Sequence, residues 1–289
     1  MDLKPPRFRT TQQKELWADK ELHRCLRSSW YLATEFLGYE WGTITNQEFP
    51  QGEPRGLTER VHKPIMDWYD RNKACKRIGI WMARRRHKTT MVITWLLQEV
   101  LMDPSRSHRY WHDSNDLAAD FVREAGSHFS NNEKLRALDP FGRHEGRLYH
   151  VLPKTKGASR WIKFGKGESQ FRLTIPWRRF GVGSRAATLR AQGVRSAVTG
   201  AHINGTAWFD DIISEDTIRN SELQKVADFY RHTAVPVVDS MRFRCTGTPW
   251  SDWSIYQEWQ KDKRWSTIVL PGAISETDEE YKAKFREAA

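Results

Sequence analysis

From Arg77 to Leu270, short apolar runs alternate with amphipathic segments, and this alternation leaves the chain few architectures. Arg77–Met82, His108–His112, Thr206–Phe209, Met241–Cys245 and Ser266–Leu270 read as strands. Between them, Thr89–Met102, Asn115–Phe129, Asp216–His232 and Trp253–Lys261 read as helices, with apolar residues at helical spacing. Strands and helices in alternation build crossover units, so the expected fold is α/β, with a mainly parallel central sheet flanked by helices. Upstream, Glu15–Leu37 and Thr58–Arg71 read as two more helices, separated by a loop-like Gly38–Gly56 rich in Gly and Pro. Pro140–Gly183 has a different character. It is rich in Gly, aromatic and basic residues, and its alternating pieces Trp161–Phe164 and Gln170–Ile175 suggest β-structure.

Composition removes several other classes. A membrane helix needs roughly 18–20 consecutive apolar residues. The most apolar stretch, Met91–Met102, is shorter and carries Gln98 and Glu99. With 14 Trp, 13 Phe and 8 Tyr in 289 residues, the chain is too aromatic for a disordered one. Three scattered cysteines, Cys25, Cys75 and Cys245, do not make a disulfide framework. The first residues carry no apolar core of a signal peptide. The expectation is therefore a soluble cytoplasmic protein with no membrane partner. Its formal charge of +11 favours a polyanionic partner, although the same charge spread over a surface would serve only solubility.

Three segments carry the chemistry. The first is the junction Ala83-Arg84-Arg85-Arg86-His87-Lys88-Thr89-Thr90, between an apolar strand and an amphipathic helix. A phosphate-binding loop has that context and ends in Lys-Ser/Thr. Here Lys88-Thr89 matches, but Met82 and His87 stand where the loop's two glycines belong. His is among the residues tolerated at positive φ, so His87 can adopt the backbone shape required there. The second is Thr206-Ala207-Trp208-Phe209-Asp210-Asp211, an apolar run ending in two carboxylates. In a Mg-dependent ATPase one such acid holds the metal's water shell and the other acts on the attacking water. Asp210 suits the first role and Asp211 the second, with Glu215 and Asp216 as alternatives. The third is Thr246-Gly247-Thr248-Pro249 at the end of a strand, where ligands of α/β sheets bind. Taken singly, these segments also read as a basic loop, an acidic turn and a Gly-Thr-Pro turn.

Together, in this order and spacing, the segments resemble the ATPase part of a large terminase subunit, the motor that packages DNA into tailed-phage capsids. The resemblance runs from about Leu57 to Leu270. It is most specific from Thr199-Gly200-Ala201-His202 through Asp210-Asp211 and Phe229-Tyr230-Arg231-His232-Thr233 to Thr246-Gly247-Thr248-Pro249-Trp250. It implies a P-loop NTPase using ATP and Mg²⁺. Arg84, four residues before Lys88, would join the catalytic set with Asp211 and Glu215. Arg84, Arg85, Arg86, His87, Lys88, Thr89 and Thr90 would surround the nucleotide, and His62 would lie near the adenine. Thr89 and Asp210 would hold the metal, and Thr246, Gly247 and Thr248 would couple hydrolysis to motion. A neighbouring subunit would supply an arginine finger, for which Arg195 is the first candidate and Arg190 the second. The implied partners are double-stranded DNA, the portal protein, the small terminase subunit and further copies of this chain. Those copies would form a ring on the portal, and the isolated chain would be a monomer.

The basic surplus has a location. Between Lys154 and Arg195 the only acid is Glu168, and aromatic residues interleave with many cations. Such a surface suits a phosphate backbone, with Lys154, Lys156, Lys163, Lys166, Arg178 and Arg179 as candidate DNA contacts. A solvated basic hairpin is the plainer alternative. The expected organisation is a helical extension or lid at 1–56, the ATPase domain at 57–270 and a charged linker at 271–289. The linker leads toward a nuclease domain that this sequence does not include, so no nuclease activity is expected of it. Two other functional readings stay open: a degenerate, non-hydrolysing P-loop module that binds DNA, and a helicase-like nucleic-acid-dependent ATPase.

Overall fold

The computed structural model describes residues 5–39, 42–44, 53–84, 86–138, 150–151, 169–171, 173–174, 187–196, 202–249 and 254–270. Among these residues the central sheet has seven strands: β1 (Arg77–Trp81), β2 (His108–His112), β3 (Ser169–Phe171), β4 (Leu189–Gly193), β5 (Thr206–Asp210), β6 (Arg242–Gly247) and β7 (Ser266–Val269). Their spatial order is β7-β1-β6-β5-β2-β4-β3. Six run parallel, and β3 pairs antiparallel with β4 at one edge. The α/β expectation therefore stands. Five of the seven strands begin and end within a residue or two of the runs read from sequence.

The sequence did not mark β4, because Leu189-Arg190-Ala191-Gln192-Gly193 has no β-branched or aromatic residue. Its pairing comes from β2, in the register His108↔Leu189 through His112↔Gly193. The stretch Gly38–Gly56 is not wholly loop: Gly42–Ile44 pairs antiparallel with Glu53–Arg55. The helix expected over Asp216–His232 is broken. Glu215–Arg219 and Leu223–Asp228 are separate helices, with Ser221 between them at φ 55, and a π-helical turn continues over Phe229–Ala234.

Alternation along the strands builds two cores. Ile78, Ile80, Tyr110, Leu189, Ala191 and Trp208 face one side, together with α1 (Thr11–Arg27), α2 (His62–Asn72), α3 (Lys88–Met102) and α4 (Asn115–Asn131). Cys25, Leu32 and Phe36 of the first 56 residues belong to this same core. Trp81, Trp111, Ala207, Phe209, Phe243 and Cys245 face the other side. There they meet α5 (Glu215–Arg219), α6 (Leu223–Asp228) and α7 (Ile255–Lys261). No described helix is long and apolar enough to cross a membrane.

The first core is organised around α3. Met91, Val92, Ile93, Trp95, Leu96, Leu97, Val100 and Leu101 are all buried, so this helix is apolar around most of its circumference. Trp95 stacks on Tyr69 of α2, with ring centroids 4.3 Å apart, and its Nε1 donates to Ser29 Oγ at 3.2 Å. Gln98 donates to the Cys25 carbonyl at 2.8 Å. Near the helix C-terminus, Glu99 meets the amino edge of the sheet. The hydroxyls of Tyr69 and Thr206 donate to it, and Arg242 and Arg244 lie 3.7 and 3.8 Å away. Arg244 is itself buried, and it donates to the carbonyls of Lys73 and Cys75, both at 2.9 Å. Burial pushes the Glu99 carboxyl up, but the charges around it, Arg244 foremost, hold it below its ordinary value.

Glu99→Ala should therefore lower stability by roughly 3–5 kcal/mol, because it leaves the buried Arg244 charge without a carboxylate. Urea unfolding measures this. Because the folded pKa is depressed, the stabilisation from Glu99 is fully present above the unfolded value near 4.5. It is lost as pH falls through the lower folded value, and Glu99→Ala should not show that loss.

Candidate functional site

The carboxyl ends of β1, β5 and β6 converge at the N-terminus of α3. After Trp81 the chain leaves the sheet, and Met82 N donates to the Gly247 carbonyl at 3.0 Å, which ties the departing loop to the end of β6. The loop then reaches His87, which has the left-handed conformation (φ 51, ψ 31) and precedes the first helical residue, Lys88. No side chain caps this helix start and no acid occupies its first turn, so the negative charge that meets its partial positive charge comes from Asp210 and Asp211 at the end of β5. The Lys88 side chain is 5% exposed. Its ammonium donates to the Ala83 carbonyl at 3.2 Å and to Thr248 Oγ1 at 3.0 Å, and it lies 3.3 Å from Asp211 Oδ2.

Asp210 ends β5 and is fully buried. Three hydroxyls meet its carboxylate. Thr89 and Tyr110 donate to Oδ2 at 2.8 and 2.9 Å, and Thr246 donates to Oδ1 at 2.6 Å. These donors come from α3, β2 and β6, so one carboxylate joins the helix to strands on either side of its own. Asp211 follows in the left-handed region (φ 40), with its N–H bonded to the Thr246 carbonyl at 3.0 Å. Its Oδ1 accepts from the backbone N–H of Thr248 at 2.9 Å and from the Thr248 hydroxyl at 3.2 Å. Between the two threonines, Gly247 has no room for a side chain: a Cβ there would lie 2.7 Å from the Tyr256 ring.

Burial raises the pKa of Asp211, the adjacent Asp210 raises it further, and Lys88 opposes both. A carboxylate moved in that direction is better matched to taking a proton near neutral pH. Burial and the Asp210 charge also hold Tyr110 protonated, so it remains a donor. Among the described residues no group of three or more His, Cys, Asp or Glu side chains gathers to hold a metal. The local donor set is instead the hydroxyl of Thr89, an exposed residue, backed by one buried carboxylate. That set suits a hard cation that keeps most of its own water, as Mg²⁺ does.

The remaining candidates have varied positions. Arg84 is exposed in the loop, while Arg86 and Thr90 are half-buried. Arg85 lies outside the described residues. His62 is buried beneath the loop; its Nδ1 accepts from Thr58 N at 2.8 Å, and its ring meets His87 edge-on at 5.5 Å. Burial, with His87 beside it, lowers its pKa to about 4, so it is neutral. Glu215 pairs with Arg219 on its own helix. Arg195 follows β4, is 57% exposed, and pairs with Glu222 at 3.0 Å and Asp113 at 3.5 Å. Arg190 is half-buried in the body of β4. Lys154, Lys156, Lys163, Lys166, Arg178 and Arg179 lie outside the described residues, as does Trp250. Tyr110 was not anticipated: its strand was legible, but only the pairing of β2 with β5 brings its hydroxyl to Asp210. No protein-family model and no curated protein matches the chain.

Proposed function

We propose that the chain is a Mg²⁺-dependent ATPase of the kind found in large terminase subunits, a motor that moves double-stranded DNA. One observation carries this reading. Thr89 and Asp210, 121 residues apart in sequence, share a hydrogen bond of 2.8 Å, and Lys88 reaches Asp211 beside them. A basic residue and a hydroxyl at a helix start, facing two carboxylates at a strand end, is what binding and hydrolysing a nucleoside triphosphate requires. In this reading Lys88 and the α3 N-terminus bind phosphate. Thr89 and Asp210 hold Mg²⁺, which neutralises phosphate charge when bound. Asp211 orients the attacking water and accepts its proton. Thr246 and Thr248 touch Asp210, Asp211 and Lys88 at once, so a change in those contacts reaches β6 directly. The DNA half of the proposal is supported by the cation-rich segment Lys154–Arg195 and the +11 charge. Further copies of the chain, a portal and a small subunit complete the proposed assembly. Arg195, exposed beside the end of β2, is the better-placed finger of the two arginines.

A second reading also has an observation behind it. The Lys88 ammonium is buried and already satisfied by Thr248, Asp211 and the Ala83 carbonyl, which fits a non-hydrolysing DNA-binding module. Hydrolysis of radiolabelled ATP, with DNA present and at concentrations that allow assembly, separates the two. The ATPase reading expects turnover that Lys88→Ala abolishes. DNA binding without turnover in the wild type establishes the module instead.

Because Asp211 occupies Lys88, Asp211→Asn should leave nucleotide affinity equal to or tighter than that of the wild type. It should also lower kcat by about 100-fold or more, the scale of a lost general base. Equilibrium binding of a non-hydrolysable ATP analogue and steady-state kinetics measure the two quantities. Duplex DNA affinity should fall steeply between 50 and 200 mM salt, on the order of tenfold or more. A double charge reversal at Arg178 and Arg179 should reduce both the affinity and its salt slope, as followed by fluorescence anisotropy.

A further inference from the structure

A cavity of about 430 Å³ opens beside the amino end of β1, at the opposite edge of the sheet from Lys88 and Asp210. Arg77, the first residue of β1, lines it together with the turn that leads from α7 into β7. Its apolar wall is aromatic: Trp259 and Trp265 stack with centroids 4.5 Å apart and planes 16° apart, and Tyr230 lies edge-on to Trp259 at 4.7 Å. All three rings are largely buried and belong to the second core, so this wall is rigid.

The charges around the cavity do not balance. Arg231 is neutralised by Glu258 at 2.5 Å. Asp262 is held by Arg264 through bonds of 2.7 to 3.0 Å, which leaves Arg77 3.9 Å from that carboxylate. Arg77 is only 13% exposed, so solvent does little to stabilise its charge. Lys261 also lines the cavity and has no ion-pair partner among the described residues. The lining therefore carries four cations, Arg77, Arg231, Lys261 and Arg264, against two carboxylates, Glu258 and Asp262; Arg77 has only a share of Asp262, and Lys261 has neither. The volume lies within the range of small-ligand sites, which pair an apolar wall with a few polar groups.

From this geometry we infer that the cavity is a second binding site, for a small anion with a flat apolar body, such as an aromatic carboxylate. Arg77 and Lys261 would take the negative charge, and the edge of the Trp259–Trp265 stack would take the ring. The site shares no residue with the proposed nucleotide site, so it stands or falls independently of the ATPase reading.

Isothermal titration of the intact protein with naphthalene-2-carboxylate at low salt tests this, alongside the neutral naphthalene-2-carboxamide and inorganic phosphate. Saturable one-site binding of the carboxylate is expected, with a change in tryptophan emission. The amide should bind roughly tenfold more weakly, which is the loss of about one charge-assisted contact, and phosphate at least as weakly, because it has no apolar body for the Trp259–Trp265 edge. The exposed pair of changes Lys261→Gln and Arg264→Gln should weaken the carboxylate by a similar factor and leave the thermal melt unchanged. Added ATP should not compete. The inference is overturned by no saturable binding to the wild type, by equal binding of amide or phosphate, by undiminished binding to the double variant, or by competition with ATP.

Discussion

The structure depends on one buried helix whose two ends both engage the sheet. Helix α3 begins with Lys88 and Thr89 at the carboxyl edge and, one turn from its end, presents Glu99 to the amino edge. From Lys88 to Glu99 the helix rises about 17 Å, close to the length of a five-residue strand. Each contact alone is a few hydrogen bonds. Together they fix the helix along its own axis, which packing by Leu, Val and Ile side chains does weakly because apolar contacts are not directional. The polar ends set the register and the apolar middle supplies most of the stabilisation. Any alteration in what Lys88 and Thr89 bind acts on an element that is anchored at its far end.

Asp210 shows how the carboxyl edge is held. A buried carboxylate is costly unless its oxygens are bonded, and here the three donors are hydroxyls rather than cations. Hydroxyls satisfy the lone pairs without cancelling the charge. The negative field therefore persists at the mouth of the loop, where it adds to burial in raising the pKa of Asp211 and in keeping Tyr110 protonated. Charge compensation comes from Lys88, whose ammonium lies 3.3 Å from Asp211 Oδ2. The arrangement leaves one carboxylate buried among hydroxyls and the second in contact with an ammonium.

The α/β architecture was legible because parallel strands buried on both faces read as apolar runs, and five of the seven did so. The meeting of Lys88-Thr89 with Asp210-Asp211 was implied by the resemblance to a P-loop ATPase, and the Thr89–Asp210 hydrogen bond and Lys88–Asp211 ion pair bring them together. Other features depended on neighbours rather than on local pattern. β4 lacks strand-forming residues and takes its conformation from β2, and the donor role of Tyr110 arises only from the strand order. The break at Ser221 interrupts an amphipathic period that continues beyond it, so periodicity reads through it. The Trp259–Trp265 cleft joins residues that in sequence look only like core, and its two proposed cations come from β1 and from the last residue of α7.

The loop before α3 departs from the glycine-rich pattern at Met82 and His87, and the two positions tolerate this for different reasons. Met82 needs no glycine because its N–H is already bonded to Gly247 and its side chain is 2% exposed, where a glycine would leave a void. His87 does need an unusual backbone: its φ of 51 costs a non-glycine residue about 1 kcal/mol. The edge contact with the neutral, buried His62 acts against that cost, as does the continuation into a helix whose next residues are fixed by Asp210 and Asp211. A left-handed residue persists when the structure around it over-determines its conformation. Here the conformation comes from the Lys88 and Thr89 contacts on one side and His62 on the other, so a loop that fails the sequence pattern can still deliver Lys88 to the carboxylates.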